Sequence, residues 1–475
     1  VSGGGLGLTP PKPRDWSSLI PIAAGLVWLA TGSGLAWVLI ALVPGCLLIA
    51  TGVSALLWPG ESRITNYQAL ASALGLLLAV PAVLFLSMLG GVLAVVMSLA
   101  AFIHAGRTAL LLAEPAVGAP EPPADFRTWA KAALDEALIG YFLSLAKLPT
   151  GAEAEKLTRD AAVMEAVLVQ RGWLDDPASF HGRPTAPDDA RVKPARFRDF
   201  DYQRLRFTSG FQPHPEVPGA ALWASYVPNR ECVASVFRQP TGGRPWLLCI
   251  HGYRMGTKYF DLRLFAPHIL HRRLGLNVVM PTLPLHGPRR IGRQSGDQYL
   301  DGDPLDLLHA QTQALWDLRR TIAWIRAQEP DARIGVLGYS LGGYNAALLA
   351  THEPGLDFVI SGIPVADFAT VLWQHVPIPL RRYFESEELT RERYQKLLHV
   401  VSPLALPPKL PAERLHLFAG SADRVVPPVQ PLKLSTHWQR PVHWFPGAHL
   451  TFRGERAVVR CIDDAMTGAG WKQPS

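Results

Sequence analysis

Residues 333–343 read RIGVLGYSLGG, and the chain runs on as YNAALLATH through His352. A short apolar run, the pattern of a buried strand, ends in Gly338-Tyr339-Ser340-Leu341-Gly342, and an alanine-rich helical segment follows at once. The five residues match G-x-S-x-G. A serine on so sharp a strand-to-helix turn must hold a strained backbone, and small neighbours at Gly338 and Gly342 let strand and helix crowd together there. The turn lifts the hydroxyl out of the sheet, and the helix N-terminus directs partial positive charge at it. A bare G-x-S-x-G is also compatible with a tight turn around a passive serine. The flanking strand and helix favour Ser340 as a nucleophile.

Working outward, apolar strands are expected at residues 246–250, 276–280, 334–338, 358–361, 415–418 and 442–445, with helices at 305–327, 341–351 and 456–466. Short buried strands alternating with helices imply a mostly parallel sheet covered on both faces, hence an α/β fold. Before them, strands are expected at 202–209, 221–227 and 232–238, separated by turn residues.

A serine hydroxyl needs a base to accept its proton, and the developing oxyanion needs preorganised donors. Residues 246–256 read WLLCIHGYRMG: a strand ends in His251-Gly252, and Tyr253 follows. The backbone amides of Tyr253 and Leu341 are the candidate oxyanion donors, with His251 holding the loop. Residues 442–452, VHWFPGAHLTF, place His449 in a loop after the last expected strand, as the candidate base. Residues 415–428, LHLFAGSADRVVPP, place Asp423 after the preceding strand, as the acid that orients it. Asp367, after an earlier strand, is a rival acid. The chain order Ser, Asp, His differs from that of chymotrypsin and subtilisin.

The motifs HGY, GYSLGG, AGSADRVVPP and PGAH resemble those of bacterial α/β-hydrolase-fold esterases, lipases and dienelactone-hydrolase-like enzymes. The resemblance covers residues 202 to the C-terminus. It implies an eight-stranded, mostly parallel sheet, ester or related acyl hydrolysis, and no cofactor. HGY departs from the HGGG of some lipases, so a hormone-sensitive-lipase-like subgroup does not follow.

Other residues offer substrate contacts. In LPLHGPRRIGR, residues 283–293, His286, Arg289 and Arg290 could meet an anionic group, although loop hydrogen bonding and surface charge explain them at least as well. Residues 368–403 carry Trp373 among prolines and leucines and suggest a cap over an apolar pocket. His268 and His271 lack a nearby carboxylate motif, so no metal site is expected. The cysteines Cys46, Cys232, Cys249 and Cys461 form no CxxC pair, which argues against a disulfide framework or zinc site.

Only 18% of residues are charged, against roughly 25% in an average domain, and the deficit is local. No Asp, Glu, Lys or Arg occurs from Trp16 to Gly60 or from Ile64 to Gly106. A bilayer core takes about 20 helical residues, so each block has room for two spans, giving four transmembrane helices in two hairpins. Turns are expected near Thr31–Gly34 and Leu89–Gly91. Lys12, Arg14, Arg63 and Arg107 flank the blocks, and an even number of spans places the catalytic domain on the same side as the N-terminus, read as cytoplasmic at a bacterial inner membrane. The length and repetition of the apolar stretch argue against a cleaved signal peptide.

Three regions result: a membrane region at 1–112, a linker and small helical region at 113–200, and a catalytic domain at 201–475. The arginine-rich residues 191–206 suit either a solvated linker or contact with anionic lipid headgroups. Nucleic acid is not an expected partner, since no recognition motif accompanies the net charge of +7. The expected activity is hydrolysis of a carboxylic ester, lipid-like or long-acyl, through an acyl-enzyme. A peptidase or acyltransferase on the same triad, and a non-catalytic membrane scaffold, are the alternatives.

Overall fold

A computed structural model of the chain describes residues 13–300, 302–303 and 305–472 and separates into two compact units. One comprises Val1–Leu145 with Gly420–Pro427 and Pro446–Arg453; the other comprises Ala146–Ala419, Pro428–Phe445 and Gly454–Ser475. Lys12, used in the charge argument above, lies outside the described residues.

The first unit is built of helices, as expected for uncharged segments that must bond their own backbone. In order they are α1 (Leu19–Leu29), α2 (Gly34–Trp37), α3 (Val43–Leu57), α4 (Arg63–Leu77), α5 (Ala79–Phe85), α6 (Met88–Leu112) and α7 (Phe126–Leu145). A π-helical stretch at Val38–Leu42 joins α2 and α3 into one rod. The chain breaks between α1 and α2, near Thr31 as expected. The second break falls at Leu86–Ser87, and Leu89–Gly91 lies inside α6. Ser87 explains the shift: its hydroxyl accepts from the Gly90 N–H at 3.2 Å, and a capping serine is a stronger start signal than a glycine pair.

Among the described residues, two helices, Gly34–Leu57 and Met88–Leu112, are long and apolar enough to cross a bilayer. The pair α4 and α5, bent by 48°, makes a third if it counts as one span. The remaining apolar segment, Trp16–Leu29, extends only about 21 Å at helical rise, short of a bilayer core. The unit has an inside-out character. Trp28 is buried and its indole donates to Ser98 Oγ at 2.7 Å, while Leu35, Leu39, Leu77, Phe85, Met88 and Leu89 are exposed. Small residues bring helices into backbone contact. A Cβ on Gly106 of α6 would lie 1.9 Å from the Trp129 carbonyl oxygen of α7.

The second unit opens with α8 (Ala152–Gln170) and continues into a nine-stranded sheet. Its elements are β1 (Arg191–Phe197), β2 (Phe200–Thr208), α9 (Ala220–Ser225), β3 (Glu231–Phe237), β4 (Trp246–Ile250), α10 (Lys258–Phe265), β5 (Asn277–Pro281), α11 (Asp306–Gln328), β6 (Ile334–Tyr339), α12 (Leu341–His352), β7 (Phe358–Gly362), α13 (Phe368–Trp373), α14 (Ile378–Ser386), α15 (Arg391–Leu397), β8 (Leu415–Gly420), α16 (Val429–Trp438), β9 (Val442–Phe445) and α17 (Arg456–Gly468). The strand order is β1-β2-β3-β5-β4-β6-β7-β8-β9. β1, β2, β3 and β5 pair antiparallel; β5, β4, β6, β7 and β8 pair parallel. Strands β4 through β8 are buried along their whole length, as a sheet covered on both faces requires. This is an α/β-hydrolase fold with an extra strand.

Three expectations change. Residues 221–227 are not a strand but the short helix α9, entered from Gly219 at φ +83°; a short apolar run with alanine does not separate the two periods. The arginine-rich residues 191–206 are not a linker but the hairpin β1–β2, which supplies the ninth strand. Arg191 stands opposite Arg206, and Glu231 of β3 accepts from both, offsetting their repulsion. The expected domain boundary at 200/201 therefore falls within a hairpin. The expected cap, residues 368–403, holds the helices α13, α14 and α15.

Because Gly106 admits no side chain beside Trp129, Gly106→Val should destabilise the full chain by about 1–3 kcal/mol. A thermal melt in detergent would show it, and an unchanged midpoint would refute the packing argument.

Candidate active site

The candidate nucleophile is placed by strain. Ser340 sits between β6 and α12 at φ +57°, ψ −117°, a conformation that costs a non-glycine residue about 1–3 kcal/mol. Its neighbours hold it there. A Cβ on Gly338 would lie 2.0 Å from the Gly342 carbonyl oxygen, and one on Gly342 would lie 2.0 Å from that of Ile250. The Ser340 N–H donates to the Gly362 carbonyl at 2.9 Å, and the Ser340 carbonyl accepts from the Tyr344 N–H at 3.0 Å. The turn is thus fixed by β7 on one side and by α12 on the other.

Leu341 is the first residue of α12, so its N–H has no acceptor within the helix. The loop after β4 comes close: a Cβ on Gly252 would lie 3.6 Å from the Ser340 Cβ. Tyr253 follows directly. His251 holds this loop as expected. It is buried, its Nδ1 bonds the Gly252 carbonyl at 2.8 Å, and its Nε2 accepts from the Leu283 N–H at 3.1 Å. Those partners assign the proton to Nδ1, and burial holds the ring neutral, with its pKa lowered.

The loop after β8 carries Asp423 and the loop after β9 carries His449. Both belong to the helical unit. The His449 Nδ1–H donates to Asp423 Oδ2 at 2.7 Å, which leaves the lone pair of the neutral ring on Nε2. The other oxygen, Asp423 Oδ1, accepts from the Val426 N–H at 2.7 Å. The Ala422 N–H donates to the Gly447 carbonyl at 2.9 Å, tying one loop to the other. Burial alone would lower the His449 pKa, but the charge of Asp423, its hydrogen bond and the charge of Asp135 together raise it. The rival Asp367 is engaged elsewhere: it caps α13 through the Thr370 N–H at 3.1 Å and pairs with Lys433 at 2.6 Å.

Neither His286 nor Arg289 fits a substrate-binding role, whereas Arg290 is exposed and donates to the Gly287 carbonyl at 3.1 Å. Arg289 is 1% exposed, pairs with Asp317 of α11 at 2.7 Å and donates to the Thr282 and Asn229 carbonyls at 2.9 Å. Asp317 also accepts from the Ser209 hydroxyl. His286 is 0% exposed, bonded to the Pro284 carbonyl, and burial pushes its pKa well down. Both are internal braces that offer no accessible charge. Trp373 is half-buried at the end of α13, with its ring 6.4 Å from that of Phe384.

Two residues of the site escaped the sequence reading. Asp135 of α7, 0% exposed, accepts from the backbone N–H groups of Arg424 at 3.0 Å, His449 at 2.7 Å and Leu450 at 3.3 Å. Glu136, 1% exposed, pairs with the Arg424 guanidinium at 2.8 Å. An adjacent Asp-Glu pair on a helix normally reads as a solvated face, and Lys131 four residues before Asp135 completes the look of a surface ion pair. Lys131 instead donates to the Pro446 carbonyl at 3.2 Å.

Residues 321–446 match the prolyl oligopeptidase family, Peptidase_S9, a stretch that contains Ser340 and Asp423 and stops just short of His449. "Uncharacterized protein Rv2627c" of Mycobacterium tuberculosis is 39% identical over 318 residues, covering 66% of this chain and 76% of that protein. Among solved structures, acetyl xylan esterase 1 from Thermoanaerobacterium sp. JW/SL YS485 is 19% identical, covers 63% of this chain and 93% of that one, and superposes with a TM-score of 0.43. An acylaminoacyl peptidase of Pyrococcus horikoshii is 18% identical, covers 59% of this chain and 41% of that one, with a TM-score of 0.33. The family match supports a serine hydrolase, which agrees with the strained elbow at Ser340.

His449 must be neutral to accept a proton, and its pKa is raised. The rate of Ser340 modification should therefore rise with pH through a midpoint above about 6.5, the ordinary histidine value. A pH series of labelling rates checks this; a midpoint below that value would contradict the electrostatics described.

Proposed function

This chain belongs to the family of the mycobacterial protein just described, and we propose that it is a membrane-anchored serine hydrolase that cleaves a carboxylic ester through an acyl-enzyme. His449 Nε2 takes the Ser340 proton as Ser340 Oγ attacks the ester carbonyl. The backbone amides of Tyr253 and Leu341 donate to the oxyanion that forms. Asp423 holds the His449 tautomer and stabilises the imidazolium. His449 then gives the proton to the leaving alcohol, and the same ring activates a water that releases the acid. No cofactor enters the cycle.

The observation that carries this reading is Ser340 itself, a non-glycine residue at φ +57° on a strand-to-helix elbow. Such strain persists where neighbours over-determine it, and it clusters at working sites. The hydrogen bond from His449 to Asp423 supports the roles of base and acid. The half-buried Trp373 and the helices of residues 368–403 suit a cap over an apolar acyl chain. The two long apolar helices support a membrane anchor, which we place in a bacterial inner membrane with the catalytic domain on the cytoplasmic side. A second reading, hydrolysis of a peptide bond by the same groups, is favoured by the prolyl oligopeptidase match.

A fluorophosphonate probe tests the chemistry. The unaltered chain should be labelled and Ser340→Ala should not; equal labelling of the two would refute the assignment. Asp423→Asn should slow labelling by about 10³–10⁴-fold, whereas Asp367→Asn should leave it within a few-fold. Turnover of p-nitrophenyl esters from acetyl to palmitoyl, set against peptide p-nitroanilides, separates the two readings. Under alkaline carbonate extraction the chain should stay with the membrane pellet, and release into the supernatant would remove the anchor from the proposal.

A further inference from the structure

The geometry points to Asp135 of α7 as a positioning residue for the acid–base pair, through which the N-terminal helices become part of the catalytic machinery. This rests on the reading of His449 as base and Asp423 as acid.

One buried carboxylate gathers the two loops that carry those residues. Asp135 Oδ2 accepts the Arg424 N–H, next in the chain to Asp423, and the N–H of His449 itself. Asp135 Oδ1 accepts the Leu450 N–H. Hydrogen bonds to a charged acceptor are roughly twice as strong as neutral ones. They act on the backbone at the catalytic histidine and beside the catalytic acid, so they set where both side chains start from. Without them, the buried N–H of His449 and the partly buried N–H groups of Arg424 and Leu450 would lose their acceptor.

Glu136 extends the anchorage. Its Oε1 accepts from Arg424 Nε at 2.8 Å, and its Oε2 accepts from Thr65 Oγ1 and Asn66 Nδ2 of α4, both at 2.5 Å. A continuous set of bonds thus runs from α4 through α7 to the loop of Asp423. Lys131, one helical turn before Asp135, adds its bond to the Pro446 carbonyl. The contacts with Asp135 and Glu136 join residues 70 to 315 positions apart, so none follows from local sequence.

Asp135 also acts through its charge. The charges that act on the His449 ring are Asp423, on the neighbouring loop, and Asp135, on α7; Lys131 and Glu136 bond to the same loops, Glu136 through Arg424. Asp135 is among the groups that favour the protonated ring, the form His449 takes as Ser340 attacks and before the leaving alcohol departs. Burial, then the neighbouring charge of Asp423, raises the pKa of Asp135 itself to about 7, so its charge acts on His449 in full only above that pH. A purely structural carboxylate would hold the loops without shifting the titration of His449.

The test uses the full chain in mild detergent, the fluorophosphonate probe, and labelling rates from pH 5 to 9. Asp135→Ala should label roughly 100-fold more slowly than the unaltered chain, the scale of an ångström-sized misplacement. Asp135→Asn keeps an acceptor oxygen but loses the charge. It should recover part of the rate at high pH, and its acid-limb midpoint should move to lower pH. If Asp135→Ala fails to fold, the midpoint of Asp135→Asn decides alone. Unaltered rate in the first variant or an unaltered midpoint in the second overturns the inference. Failure of the unaltered chain to label, or labelling of Ser340→Ala, would instead overturn the hydrolase reading.

Discussion

Ser340 occupies a backbone conformation that a side chain disfavours, and much of the second unit is arranged so that it has no alternative. Strand β6 feeds the turn, α12 leaves it, and the carbonyl of Gly362 on β7 fixes its amide. The crowding permits no side chain at Gly338 or Gly342. Even the sheet registers contribute, since Ile250 of β4 pairs with Gly338 of β6 and so brings its carbonyl against Gly342. The serine is strained because strand, helix and neighbouring strand agree on one geometry, and relaxing it would mean separating all three.

Charge is treated differently in the two units, but by one rule. A buried ion is costly unless its hydrogen-bonding capacity is filled. Arg289 and Asp317 meet with carbonyls and a hydroxyl around them, and they brace the loop after β5 against α11. Asp135 and Glu136 are filled by backbone amides, a guanidinium, a hydroxyl and an amide side chain. The first set is closed on itself. The second ends on the backbone of His449 and of Arg424, beside Asp423, the pair to which the proposed mechanism gives the proton transfer. The same rule explains why His251 and His286, equally buried but without a carboxylate hydrogen-bonded to the ring, have lowered pKa values while that of His449 is raised.

The β-α alternation from Trp246 onward was legible in the sequence, because buried strands there are short, wholly apolar and followed at once by helices. The pairing of His449 with Asp423 was legible for the same reason: each follows one of those strands. Arg289 and His286 misled because a polar residue in a loop does not reveal whether its partner is solvent, substrate or a buried aspartate. The hairpin at 191–206 was hidden by its arginines, whose partner Glu231 lies on a third strand. Asp135 was invisible because every amide it accepts from lies at least 289 residues further along the chain.

That separation has a consequence for the order in which the protein is made. The carboxylate of Asp135 leaves the ribosome 314 and 315 residues ahead of the amides of His449 and Leu450. Loop closure over such a distance must precede the bonds that reward it. The nascent chain can complete its helices and most of its sheet while the histidine loop does not yet exist. The bonds that join His449 to Asp423 and to Asp135 can therefore close only after residue 449 has been made.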